Sequence, residues 1–219
     1  MNRTKFNIWV GIALSIFCFH IGTAQGDANA KSILDEASET MKSYSNVSMD
    51  FDYVLDNRAE DVKQEMSGDV ILAGEKYLVN LFGSTQIFDG VKTYTIIPEN
   101  EEVNISDADV DMDNTFTPSK FYSFYESGYR YAMDELKQSG GKKIQFVKLT
   151  PIDTNSEITS ILVGIDMNTN HIYQIIEIGN NGTRTILTAK NIKINQTLDG
   201  GVFAFDEKKY EDLNYMINK

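Results

Sequence analysis

The spacing of apolar residues changes once near the start of the chain. They first recur every three or four residues, at Ala30, Ile33, Leu34, Ala37, Met41 and Tyr44. The positions between them carry charged side chains such as Lys31, Asp35 and Glu39. This spacing predicts one amphipathic helix, with Asp27 in the N-cap position.

From Asn46 onward the period is two, because the apolar residues Val47 to Leu55 alternate with Ser48, Asp50 and Asp52. Such alternation predicts a strand with one buried face. It recurs at 65–73, 76–82, 85–88, 93–97 and 101–105. The turns between these stretches are short, whereas a parallel crossover needs about a dozen residues or more, so we expect antiparallel pairing.

The alternation is interrupted between 107 and 138. Residues 107–114 form an acidic loop, 119–131 are rich in Phe and Tyr, and 131–138 are predicted to be a short helix. After Gly140-Gly141 the period of two returns and predicts strands at 143–150, 159–166, 172–179, 184–194 and 201–205.

About eleven antiparallel strands cannot stay flat in one sheet, because strand twist accumulates until the sheet curls or closes. The fold class predicted is therefore mainly β (α+β), a curved antiparallel half-barrel covered by helices. The N-terminal helix and the aromatic insert at 119–131 are the expected covers. Periodicity alone leaves open whether the hollow under them is filled core or a ligand cavity.

The N-terminal segment has the layout of a secretory signal peptide. Arg3 and Lys5 precede an almost wholly apolar run of about 14 residues at 8–21, and a group of small residues ends at Ala24. A membrane anchor is the alternative, but a span needs roughly 20 residues. We expect cleavage after Ala24, which makes 1–24 the signal peptide and 25–219 a single exported domain.

Cleavage removes Cys18 and His20, and leaves a domain with no thiol and with His171 as its one histidine. A thiolate-bound zinc site, a cysteine nucleophile and a multi-histidine metal centre are thereby excluded. His171 follows Asn168 to Asn170 in a turn signal and is expected to be solvated.

The aspartates from Asp107 to Asp113 do not form an EF-hand. Counted from Asp107, the required glycine is Met112 and the required glutamate is Pro118. Counted from Asp109, those positions hold Asn114 and Lys120. No metal, cofactor or catalytic residue is predicted, and a loop is the default interpretation of this segment.

Charge narrows the partners further. The net charge of −12 repels nucleic-acid phosphates and anionic headgroups, so no nucleic acid is expected as a partner. An apolar content of 42% is nevertheless too high for a disordered acidic chain.

The order of several short motifs resembles that of the periplasmic lipoprotein carrier (LolA) family over essentially all of 25–219. The motifs are Met41-Lys42-Ser43-Tyr44, the 67–72 strand that resembles a Gly-x-Leu element, Asp89-Gly90 followed by Tyr94, Ile96 and Pro98, Leu149-Thr150-Pro151, and Phe203-Ala204-Phe205. One position departs from the family: its lid-tethering Arg-Pro is replaced by Gly74 and Glu75.

The resemblance implies a monomeric carrier without a cofactor, not an enzyme. It would accept acylated lipoproteins from an inner-membrane lipoprotein-releasing ABC transporter and pass them to an outer-membrane acceptor. Two alternatives stay open: a periplasmic module of the same fold that senses lipid or lipoprotein and regulates signalling, and a periplasmic hydrolase or metal-dependent enzyme.

Strand alternation then selects the residues expected to line the hydrophobic cavity. On the sheet side these are Phe51, Tyr53, Val70, Leu72, Tyr77, Val79, Leu81, Tyr94 and Ile96. On the lid side they are Met41, Phe121, Phe124 and Tyr125. The opposite register of each strand remains an alternative, because a slip of one residue exchanges the two faces.

Overall fold

The structure, a computed structural model, describes residues 22–107 and 121–219, with side chains from Ala28 onward. Residues 1–21 of the predicted signal peptide and most of the predicted acidic loop lie outside the described residues. The helices and strands follow in the order α1 (Gly22–Lys42), β1 (Val47–Asn57), β2 (Val62–Ala73), β3 (Lys76–Leu81), β4 (Ser84–Phe88), β5 (Lys92–Ile97), a 3-10 turn (Pro98–Asn100), β6 (Glu102–Asp107), β7 (Tyr129–Ser139), β8 (Lys142–Pro151), β9 (Ile158–Asp166), β10 (His171–Gly179), β11 (Arg184–Ile194), α2 (Glu207–Asp212) and β12 (Met216–Asn218).

All twelve strands belong to one sheet, in the order β12-β6-β5-β4-β3-β2-β1-β11-β10-β9-β8-β7. Neighbouring strands pair antiparallel, except that β12 runs parallel to β6. The predicted fold class, a mainly β curved antiparallel half-barrel of about eleven strands covered by helices, is confirmed, with α1 as the helix that covers the sheet.

Helix α1 covers one half of the sheet. Its apolar side chains Ala30, Leu34, Ala37 and Met41 are buried, and the helix contacts β7, β8, β9 and β10. We call the side of the sheet on which α1 lies the inner face and the opposite side the outer face. Because α1 begins at Gly22, the prediction that Asp27 is its N-cap is wrong.

The helix predicted at 131–138 is wrong, because this stretch belongs to strand β7. It pairs with β8 from Tyr129 to Ser139, and the pairing shifts between Met133 and Leu136. That irregularity breaks the two-residue period, and the strand lies at the border of the sheet with mostly exposed side chains. The sequence therefore shows neither a buried face nor a clean alternation there, and partner β8 decides the structure.

The strand predicted at 201–205 is also wrong, since these residues form turns. The segment that follows crosses the outer face and adds α2 and β12, neither of which was predicted. Its side chains pack on Ile87, Ile96 and Val103, which are buried. We call this group the outer cluster; its covering side chains are Phe203, Phe205, Tyr210, Tyr215 and Ile217.

The inner face carries the main core. It joins the buried side of α1 to apolar residues of β1, β2 and β8 to β10, including Met49, Val70, Leu149 and Val163. A smaller group around Ile144, Phe146 and Ile176 lies on the outer face of β8 to β10. The sheet is thus apolar on both faces, and different parts of the chain cover each region.

Candidate ligand cavity

A cavity of about 400 Å³ opens on the inner face, beside the part that α1 covers. Its walls come from β1 to β4, from β9 to β11 and from the aromatic insert. The residues lining it are Met49, Phe51, Tyr53, Val70, Leu72, Val79, Leu81, Gln86, Phe121, Phe124, Ile161, Ile172, Tyr173, Gln174, Ile175, Glu177, Thr185, Leu187 and Ala189. Among these described residues Glu177 alone is charged, so the walls are overwhelmingly apolar.

Strand alternation and register bring the walls together. Met49 lies opposite Val70, and Val70 in turn lies opposite Val79, so three strands present one apolar row. On the other side of β1, Tyr53 lies opposite Leu187. Side chains on one face of paired strands are neighbours, which explains why a period of two in sequence yields a continuous wall.

A glycine on the neighbouring strand determines how the Phe51 ring is oriented. Gly68 lies opposite Phe51, and a methyl group placed on it would come within 2.6 Å of Phe51 Cζ and 2.5 Å of the Asn80 carbonyl oxygen. Glycine is therefore required for the phenyl ring to lie across β2. The ring covers that part of the cavity wall instead of standing upright in the space.

Two phenylalanines of the insert form the cover over the cavity. The rings of Phe121 and Phe124 meet those of Tyr122 and Tyr125 edge to face, with centroids 5.5 Å and 6.2 Å apart. This geometry is one that aromatic pairs prefer. The cover thus consists of side chains that are packed by their own neighbours.

Tyr125 fastens this cover to the helix. Its hydroxyl donates to Asp35 of α1 at 3.1 Å, and the Tyr131 hydroxyl donates to the Tyr125 carbonyl oxygen at 2.7 Å. Lys42 also pairs with Glu126 at 3.1 Å. Burial raises the pKa of the Tyr125 hydroxyl, which keeps it a donor. Helix, insert and β7 therefore hold the cover together.

The hairpin that joins β3 to β4 has an unusual tip, which contacts one residue of the cavity wall. Phe82 adopts φ 55° and its neighbour Gly83 φ 71°, which matches a two-residue turn with both central residues left-handed. Phe82 is 61% exposed, and its ring lies 5.3 Å from that of Tyr53, which lines the cavity. A bulky residue in this conformation carries strain of roughly 1–2 kcal/mol.

The structure brings together eight of the thirteen residues that the sequence analysis selected. Five do not line the cavity. Met41, Tyr77 and Tyr125 are on the inner face but are packed within the core. Tyr94 and Ile96 are on the outer face and belong to the outer cluster, so the inward register chosen for β5 is wrong. The eight that line the space are Phe51, Tyr53, Val70, Leu72, Val79, Leu81, Phe121 and Phe124.

The wall formed by β9 to β11 was missed. Ile175 and Glu177 alternate on β10, and Thr185, Leu187 and Ala189 alternate on β11. The same two-residue period that selected Phe51 would have found them. What the period does not reveal is that β11 pairs with β1, which brings strands from the two halves of the chain into one wall.

His171 differs from its expected state. It is the first residue of β10, is half-buried, and shares a hydrogen bond of 3.0 Å between its Nε2 and the Tyr44 hydroxyl just after α1. Burial lowers the pKa of His171 below its ordinary value. The residue is therefore not a solvated turn histidine; it links the end of α1 to the sheet.

The described residues contain neither a cluster of metal-binding side chains nor a membrane-spanning helix. Across 22–107 and 121–219, no three or more His, Cys, Asp or Glu side chains are grouped so as to hold a metal ion. Within the same ranges no helix has both the length and the apolar character needed to cross a membrane.

The fold and the cavity together define a class: an open antiparallel half-barrel with a helix and an aromatic cover over an apolar hollow. No family model matches the sequence. No curated protein matches it either.

Solved structures do match. An uncharacterized conserved protein of Thermus thermophilus covers 86% of this chain and 98% of its own length with a TM-score of 0.58 and 8% identity. A LolA superfamily protein of Nitrosomonas europaea covers 81% and 98%, with a TM-score of 0.42 and 11% identity. Lipoprotein LppX of Mycobacterium tuberculosis covers 79% and 98%, with a TM-score of 0.49 and 12% identity. At sequence identities this low, the matches indicate similarity of fold alone.

Proposed function

We propose that this chain is a periplasmic carrier that shelters acyl chains of lipoproteins in its cavity and takes them from the inner to the outer membrane. The observation that supports the proposal is the cavity itself. Its described walls are apolar except at a few polar groups. A binding role of this kind needs no catalytic residue and no cofactor.

The energetics suit transient binding. Each buried methylene contributes about 0.8 kcal/mol, so even part of a chain competes with the bilayer. A volume of 400 Å³ lies low in the range of about 300–1,000 Å³ that holds one drug-sized ligand. The cavity in this state therefore suits one acyl chain or part of one, and a lipoprotein with three chains requires the cover to move.

The cover is the part expected to move. Gly74 and Glu75 stand where the family has its Arg-Pro. They form the exposed turn between β2 and β3, and Gly74 adopts φ 60°. A tether from that position is absent in the described structure. The Tyr125–Asp35 and Lys42–Glu126 contacts are among those that hold the cover to α1.

The proposed partners are acylated lipoproteins, an inner-membrane lipoprotein-releasing ABC transporter as donor and an outer-membrane acceptor. Native mass spectrometry of the protein purified from its own periplasm tests the cargo directly. A bound acylated polypeptide supports the proposal. Protein that is consistently free of lipid, and that fails to release lipoprotein from inner-membrane vesicles, contradicts it.

A cavity-filling variant supplies the matched test. Ala189 lines the cavity, and Ala132 is exposed on β7 outside it. Ala189→Phe is expected to lower the affinity for a fluorescent fatty-acyl probe about tenfold or more, because the phenyl group occupies ligand space. Ala132→Phe adds the same group on the surface and is expected to leave binding unchanged. Equal affinities for both variants would contradict binding in this cavity.

A further inference from the structure

Glu177 is a charged group inside an apolar cavity. It lies on β10 between Ile161 of β9 and Thr185 of β11, and all three residues line the cavity. The side chain is half-buried. A carboxylate in such a place loses hydration, and this loss is unfavourable unless a partner replaces the water.

The two amide side chains of the wall already take part in hydrogen bonds. Gln86 accepts from the Tyr77 hydroxyl at 3.2 Å, and Gln174 donates to Thr188 at 2.8 Å. The Glu177 carboxylate, by contrast, takes part in no hydrogen bond or ion pair with the rest of the described chain. Its acceptor capacity is left for whatever enters the cavity.

The charges around the cavity disfavour an anionic ligand. The described lining residues include no Lys, Arg or His, so a ligand carboxylate or phosphate beside Glu177 would meet a like charge and no cation. Glu177 interacts electrostatically with Tyr129 of β7: burial and this carboxylate both raise the pKa of the Tyr129 hydroxyl. An ionised carboxylate only accepts hydrogen bonds, so the complementary ligand group must donate one.

We infer that Glu177 forms a polar subsite in the cavity, which selects apolar chains bearing an N–H donor, an amine or an amide, and rejects chains ending in a carboxylate. This inference rests on the proposed function, because it names the chemistry of the ligand for that same cavity. Burial also raises the pKa of the Glu177 carboxyl above its ordinary value, and a cationic group bound beside it would oppose that rise.

The test compares ligands with one dodecyl or dodecanoyl chain and different ends: dodecylamine, N-dodecylacetamide, methyl dodecanoate and dodecanoic acid. Their affinities are measured at neutral pH by displacement of a neutral fluorescent probe. The methyl ester has no donor and no charge, and it serves as the reference for chain burial. Hydrogen bonds to charged groups predict that the amine and the amide bind on the order of tenfold more tightly than the ester, and the acid most weakly.

Glu177→Gln is the decisive variant. Its control is Glu99→Gln, because Glu99 is exposed in the turn before β6 and its replacement makes the same change in net charge. In Glu177→Gln the preference for the amine is expected to disappear and the acid to bind better, while the ester keeps its affinity. Glu99→Gln is expected to retain the wild-type order. A thermal unfolding curve for each variant confirms that it is folded.

The outcomes separate the two proposals. Normal binding of the ester with no discrimination among the ends, or an unchanged order in Glu177→Gln, overturns the subsite and leaves the carrier role standing. A change in Glu99→Gln as large as in Glu177→Gln also overturns it, since overall charge would then explain the preference. Failure of every ligand, ester included, overturns both.

Discussion

The inner cavity and the outer cluster are two apolar regions of one sheet, and they differ in how completely the rest of the chain covers them. On the outer face, Ile87, Ile96 and Val103 are covered by the C-terminal segment. Phe205 stacks on Tyr94 with ring centroids 4.6 Å apart and on Tyr210 at 5.3 Å. On the inner face, β1 to β3 and β9 to β11 present equally apolar side chains, but they border a cavity of about 400 Å³ that the described residues do not fill.

The difference shows that an apolar face is not by itself a binding site. In both regions the strands alternate with the same period and bury side chains of the same kind. What separates them is whether a distant part of the chain arrives to fill the surface. Side chains in the filled region should contribute stability, and those in the open region should contribute affinity.

The largest expected effect is on stability, from the filled region. Ile96 is buried in the outer cluster, and Ile96→Ala is expected to lower the free energy of unfolding by about 2–4 kcal/mol because it leaves a void. Binding of a fatty-acyl probe should be unchanged in the folded variant. Leu136→Ala, on an exposed side chain of β7, is the control and should stay within about 0.5 kcal/mol of wild type. Loss of probe affinity in Ile96→Ala would contradict the proposal that the outer cluster contributes to stability and not to binding.

Two glycines sharpen the comparison, because each lets an aromatic ring lie across a neighbouring strand. A methyl group on Gly68 would meet Phe51 on the inner face, and one on Gly164 would meet Phe146 on the outer face at 2.8 Å. Each Gly→Ala change is expected to cost about 1–3 kcal/mol in chemical denaturation. Only Gly68→Ala should also alter probe affinity, since only Phe51 lines the cavity. Equal affinity changes in both variants would contradict the assignment of faces.

A third variant truncates a side chain of the cavity wall. Leu187 is half-buried and faces the cavity, so Leu187→Ala deletes fewer contacts than a core truncation does. The expected loss of stability is about 1 kcal/mol, below the usual range for fully buried leucine. Affinity should shift toward bulkier or branched chains, as measured by probe displacement with a ligand series. A stability loss as large as that of Ile96→Ala would mean that this wall is ordinary core.

The smallest expected effect is a pH dependence at the end of α1. Burial lowers the folded-state pKa of His171, so the unfolded chain binds the proton more readily. The stability that depends on neutral His171 is therefore present above about pH 6.5, the ordinary value, and is lost as the pH falls below it. Thermal melts from neutral to mildly acidic pH should show this slope in wild type, and His171→Gln should reduce it.

Tyr44→Phe separates the two contributions at this position. It removes the hydrogen bond to Nε2 but leaves the imidazole buried. The variant should be less stable at neutral pH and keep part of the slope. An unchanged slope in His171→Gln would assign the acid sensitivity to other groups.

The strands were predictable where one face is buried. The alternation from Val47 to Leu55 identified β1, and the turn residues after each strand fixed the antiparallel order. Strand β7 was not predictable, because its side chains are largely exposed and its register slips at Met133. Phe203 and Phe205 looked like a strand because they alternate, although they cover the outer cluster from turns.

The candidate site was predictable only in part, for a related reason. Apolar pattern cannot distinguish the inner from the outer face when both are buried, so Phe51 was placed correctly and Ile96 was not. Glu177 gave no signal because an acidic residue in an alternating strand resembles a solvated position. Its place in the wall depends on long-range pairing with Ile161 and Thr185, which local sequence does not encode.

The two borders of the sheet have a consequence for self-association. One border is β12, which is only three residues long, and the other is β7, which is interrupted at Met133 and carries exposed Glu135 and Lys137. A long, flat, uncharged border would offer its free peptide groups to a second copy and begin a fibril. The short β12 and the interrupted, charged β7 do not provide such a border, so edge-to-edge pairing of copies through these described strands is disfavoured.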